Sequence, residues 1–108
     1  MLNDFEAVGY GIPVLPGDAI IPLHAVPPEA HAPLAVLGPG TGLGQAQLFW
    51  EEGAEAGAGA YRVQPSEGAH ATFAPRGARQ RALQAAVEEE EGYCCIERVG
   101  AAALAPPG

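Results

Sequence analysis

Apolar positions change period along the chain, and the changes mark its elements. Asn3 and Glu6 stand three apart, as the partners of a capping box do, and Phe5, Val8 and Ile12 fall on one helical face. This predicts a short helix, stopped by Pro13 and by Pro16-Gly17. From Leu15 to Pro33 no period survives among five prolines, and a connecting surface segment is expected. Leu34 to Leu37 is a short apolar run. From Leu43 to Trp50 the side chains alternate, with Ala46, Leu48 and Trp50 on one face and Gln45 and Gln47 on the other, which is the pattern of a half-buried strand. Glu51 to Ala60 is a low-complexity stretch expected to form a solvated loop, and Tyr61-Arg62-Val63 reads as another short strand. A helical period returns from about Ala78 to Glu90, where Ala82, Leu83, Ala86 and Val87 form the packing stripe. Glu88 to Glu91 reads as its solvated end, and Gly92 should terminate it. Ile96 to Val99 begins a last helix.

Composition makes that core thin. Of 108 residues, 22 are alanine, 15 glycine and 11 proline, so few large apolar side chains remain and stable folding of the segment alone is not expected. Charge narrows the partners. Five arginines, no lysine and a net charge of −8 leave little with which to neutralise a phosphate backbone, so nucleic acid is not an expected partner. No 18-residue apolar run or secretory signal is visible, so neither is a membrane. Cys94 and Cys95 are adjacent, a spacing that suits neither an ordinary disulfide nor a zinc knuckle, and they read as reduced intracellular thiols.

Chemistry has three candidate places. Gly38 to Gly44, GPGTGLG, lies between two predicted strands. Glycine tolerates positive φ and puts no Cβ between its amide and a ligand, so the run could wrap a phosphate or simply turn a hairpin. A Rossmann fingerprint would open a helix, and a Walker A loop would carry a lysine, so neither applies. Asn3 and Asp4 read most simply as a polar helix cap, and otherwise as a carboxylate placed to accept a proton. Glu67 and His70, three apart across a small-residue turn, could converge on a polyol or be a surface acid beside a half-buried imidazole. Ser66 lacks the GxSxG setting of a hydrolase nucleophile.

In this order and spacing the pieces resemble the bacterial-type glucokinases, which are actin-like (ribonuclease H-like) sugar kinases. NDFEAVGYGIPVL is similar to the family's catalytic-aspartate segment, AVLGPGTGLG to its second phosphate loop and PSEGAHATFAP to its sugar-binding EGGH segment. Glu97 follows Glu67 by 30 residues, where the family has its last sugar-binding glutamate. The resemblance implies an α/β chain that is part of a two-lobed kinase. By that resemblance residues 1–108 would form a partial glucokinase domain, with a catalytic segment at 1–16, a phosphate-loop hairpin at 34–50 and a sugar-binding segment at 61–99.

It further implies glucose and ATP as substrates, Mg2+ with the nucleotide and no protein-held metal. A cytoplasmic location is implied, and a homodimer is allowed for the full-length form. Asp4 would be the general base and Asn3, Glu67, His70 and Glu97 the sugar ligands. Gly40, Thr41, Gly42 and Gly44 would line the phosphates. Ala69 replaces a family glycine, Cys95 stands where a serine commonly caps the next helix, and the Leu-Ser-Gly expected after Val99 is absent. The family's DxGGT loop and adenosine-binding glycines are also absent, so the expected whole is an enzyme of which this is an internal piece. The alternative is a noncatalytic sugar-binding or regulatory remnant.

Overall fold

The computed structural model describes residues 4–101. Helix α1 (Asp4–Gly11) runs into 3₁₀ turns at Ile12–Val14 and Gly17–Ala19. Strands β1 (Leu34–Pro39), β2 (Leu43–Glu52) and β3 (Gly59–Ser66) form one sheet in that order, and their short connections make it antiparallel. A 3₁₀ turn at Gly68–His70, helix α2 (Gly77–Glu91) and helix α3 (Ile96–Gly100) complete an α/β chain. By internal contacts it divides into two units. The first holds residues to Val36 with Ala46–Pro65, and the second Leu37–Gln45 with the residues from Ser66 onward.

In the first unit the alternation in β2 does what its pattern predicts. Ala46 and Leu48 turn inward with Val63 of β3, and Phe5, Leu34, Val36 and Tyr61 pack on them. Leu48 is 0% exposed, a burial worth about 1.5–3 kcal/mol. Helix α1 departs from its expected stripe. Val8 is 46% exposed and Gly9 is the buried residue, because the helix meets β3 so closely that a Cβ on Gly9 would lie 2.6 Å from Val63 Cγ1.

The proline-rich segment is exposed over most of its length, but its end is tied down. The His31 ring stacks on Trp50 at 3.8 Å and 5°, Trp50 meets Tyr61 edge-on, and the Tyr61 hydroxyl donates to the Ala32 carbonyl at 3.0 Å. The glycine-rich insert is shorter than its composition suggests. Both strands extend into it, Arg62 pairs with Glu51 at 3.0 Å, and the Gly53 amide donates to the Ala58 carbonyl, which leaves residues 53–58 as the connection. Composition reads as loop there, but small side chains let the two strands continue pairing.

In the second unit α2 ends as predicted, with Gly92 at φ 83° and its amide donating to the Glu88 carbonyl at 2.8 Å. Its stripe differs. Among the described residues only Val87 of the four is buried, and Leu83 is 43% exposed. Its acidic end is not wholly solvated either. Arg98 of α3 pairs with Glu91 at 3.1 Å and donates to the Tyr93 hydroxyl at 3.0 Å, placing a cation where the helix dipole favours one. Cys94 and Cys95 are free thiols, both buried.

Candidate functional site

Three of the candidate side chains and the glycine loop belong to the second unit. The turn after β3 is built by the chain's one serine. Ser66 Oγ accepts the Gly68 amide at 3.1 Å, the local hydroxyl turn that serine two residues before glycine can make, and its hydroxyl donates to Gln45 Oε1 at 3.4 Å. A Cβ on Gly68 would lie 2.6 Å from Gln45 Oε1, so a side chain there would displace the end of Gln45. The 3₁₀ turn then brings Glu67 and His70 to one side, with His70 Nε2 3.4 Å from Glu67 Oε2. Ala69 causes no difficulty. Its φ is not positive and its methyl is buried at 2% exposure, so the turn itself has no need of a glycine there.

Glu97 reaches the same place from α3. An isolated antiparallel bridge pairs Thr72 with Cys95, the Phe73 amide donates to the Cys94 carbonyl, and the Ile96 amide donates to the Ala71 carbonyl at 3.0 Å. These bonds register the start of α3 against the turn. Cys95 occupies the cap position without a side-chain cap bond, and of the first amides of α3 it is that of Ile96 which the Ala71 carbonyl takes. Glu97 Oε1 lies 3.9 Å from His70 Nδ1, and the Glu97 side chain is 23% exposed. The imidazole therefore stands between two carboxylates at spacings longer than good hydrogen bonds, an arrangement that offers acceptors and a donor to a hydroxyl-rich ligand.

The glycine loop is a hairpin connection, as the flanking strands require. None of its glycines has positive φ; the described glycines that do are Gly57, Gly77 and Gly92. The expected conformational reason is thus replaced by close approach. A Cβ on Gly42 would lie 2.8 Å from Glu97 Oε2, and that oxygen accepts the Leu43 amide at 2.9 Å. The Gly40 amide donates to the Gly42 carbonyl at 2.8 Å, whereas a Cβ on Gly40 would have nothing nearer than that carbonyl at 3.9 Å. Two amides of the run are therefore committed. The Thr41 hydroxyl and the amides of Thr41 and Gly42 have no partner among the described residues, whereas Gly44 already lies within β2.

Asp4 belongs to the first unit, exposed in the first turn of α1, with Oδ1 accepting the Phe5 amide at 2.8 Å. Asn3 lies outside the described residues. Among the described residues no group of three His, Cys, Asp or Glu could hold a metal ion, and no helix is long and apolar enough to cross a membrane. An open depression lined by Tyr10, Glu51, Tyr61 and Arg62 in the first unit contains none of the candidates. Sequence reasoning missed Gln45 and the Leu43 amide. The amide leaves no mark in a sequence, and Gln45 shows only as one polar position of an alternating strand.

A family model described as Glucokinase matches residues 1–102. The chain is 42% identical over 101 residues to a glucokinase of Synechocystis sp., covering 92% of this chain and 27% of the relative. It is 34% identical over 113 residues to a glucokinase of Yersinia pestis, covering 100% of this chain and 30% of that protein. A crystal structure of glucokinase from an Antarctic psychrotroph superposes with a TM-score of 0.73 at 30% identity, over 93% of this chain and 29% of the other. The chain thus spans under a third of the length of these relatives.

Proposed function

The chain belongs to the glucokinase family, and from that premise we propose that it supplies the sugar site and one phosphate loop of an enzyme that transfers the γ-phosphoryl group of ATP to glucose. The observation that carries this reading is the meeting of Glu67, His70 and Glu97 within one unit, with Glu97 also bonded to the glycine loop. A pyranose presents several hydroxyls, and two carboxylates around an imidazole can pair with them, so that few polar groups are buried unsatisfied.

In this reading Asn3, Glu67, His70 and Glu97 hold and orient the ring. Asp4 accepts the proton of the 6-hydroxyl as that oxygen forms its bond to the γ-phosphorus and the bond to the β-phosphate oxygen breaks. The Thr41 hydroxyl and the Thr41 and Gly42 amides hold phosphate oxygens, giving the positioning and charge stabilisation on which phosphoryl transfer depends. ATP supplies the transferred group, with Mg2+ held through the nucleotide. The parent fold is a two-lobed, actin-like kinase of which this chain contributes part.

The test is production of glucose 6-phosphate by the complete gene product in a coupled assay. Asp4→Ala is expected to lower kcat by about 10²–10⁴-fold while leaving glucose affinity within about threefold. Turnover that survives the substitution would remove Asp4 from the role of base. Glucose binding without turnover in the unaltered protein would favour the noncatalytic remnant.

A further inference from the structure

We propose that Glu97 is a positioning residue for the phosphate loop as well as a sugar ligand, so that one carboxylate couples sugar occupancy to nucleotide binding. The inference rests on the proposed assignment of the two sites, and its foundation is a single peptide group. The unit joining Gly42 to Leu43 is held at both ends, its carbonyl by the Gly40 amide at 2.8 Å and its N–H by Glu97 Oε2 at 2.9 Å. Rotation of that peptide would break both bonds. The donors left to a phosphate, on Thr41 and Gly42, lie immediately before it in the chain, so their direction follows the orientation of this plane.

Glu97 is built into the loop rather than resting near it. Its Oε2 and Cδ would lie 2.8 and 3.3 Å from a Cβ on Gly42, so a side chain there would push the carboxylate out of its present place. The partners are far apart in sequence, separated by 54 residues, and the bond therefore ties β2 to α3. The other oxygen, Oε1, faces His70 Nδ1 at 3.9 Å, too far for a hydrogen bond, and is placed to accept a hydroxyl. A sugar hydroxyl on Oε1 restricts the carboxylate, and a restricted carboxylate holds the Gly42–Leu43 peptide. By linkage, a nucleotide that needs this loop geometry must tighten sugar binding by the same factor.

The experiment measures the affinity of a nonhydrolysable ATP analogue for the complete gene product, first without glucose. A residue that served only as a sugar ligand would not affect that value. Glu97→Ala is expected to weaken analogue binding about tenfold, the loss of one charge-assisted bond to the loop. Glu97→Gln, which keeps an oxygen for the Leu43 amide, should restore it to within about twofold of the unaltered protein. Gly42→Ala, which keeps the carboxylate but fills its space, should weaken binding as Glu97→Ala does. In the unaltered protein, saturating glucose should tighten the analogue about fivefold or more and shift the Leu43 amide resonance. Analogue affinity unchanged in Glu97→Ala, or a Leu43 resonance indifferent to saturating glucose, would overturn the coupling without touching the proposal that the unaltered protein phosphorylates glucose. Absence of any glucose-dependent ATP turnover in the unaltered protein would instead overturn the functional reading beneath it.

Discussion

At Cys94 the fold holds a nucleophile in an inert state. Burial pushes its thiol up from the ordinary range, and Glu88 and Cys95 push the same way. The folded chain therefore keeps this proton at pH values where the unfolded chain releases it. Stability from this group is full below the unfolded thiol range, near about 8.5, and declines as pH rises above it. In the complete gene product, alkylation of Cys94 at pH 8 should run at least about tenfold slower than that of a free thiol. The fall in denaturation midpoint between about pH 8.5 and 10 should be shallower in Cys94→Ala. Alkylation at the rate of a free thiol would contradict the enclosed setting. Two other single residues show why a motif comparison needs geometry. Ala69 looks like a damaging departure but occupies a helical turn that accepts a methyl. Gly42 looks like one glycine among four, but it is the one against which Glu97 packs.

Elements were legible where one local cause fixes them. Gly92 is the clearest case, because its left-handed φ turns the chain out of α2 directly after its amide closes the last bond to Glu88. Gly92→Ala should cost about 1 kcal/mol in the complete gene product, read as a lowered denaturation midpoint, and a neutral result would mean the cap is dispensable. The alternation in β2 likewise survives from sequence to structure, since one buried face imposes it. Elements were misread where a distant partner decides. Helix α1 turns Gly9 rather than Val8 inward because Val63 stands against it, and β2 runs on to Glu52 because β3 begins at Gly59 to meet it. Site residues follow the same division. The three-residue spacing of Glu67 and His70 foretells their approach, but the 54-residue bond from Leu43 to Glu97 could not be read locally.

The molecule as a whole is short of interior. Buried apolar side chains among the described residues are Ala46, Leu48, Val63, Ala69, Val87, Cys94, Cys95 and Ala101, most of them small. Ile20, Ile21, Leu23 and Val26 of the proline-rich segment are half or more exposed. So little burial scarcely offsets chain entropy. The 108-residue chain by itself is therefore expected to unfold over a broad, noncooperative range and to show no glucose phosphorylation. A sharp transition with calorimetric and van't Hoff enthalpies in agreement would disprove this.

The ring stack of His31 on Trp50 gives such a measurement an internal lamp. Trp50 is the chain's one tryptophan, and it belongs to the first unit, with imidazole against its face and Tyr61 at its edge. Its emission reports on that unit alone. Far-ultraviolet dichroism, by contrast, draws much of its helical signal from α2 in the second unit, the longest helix described. Colour and ellipticity thus watch different halves of one polypeptide, and any gap between their melting curves measures how independently the halves come apart.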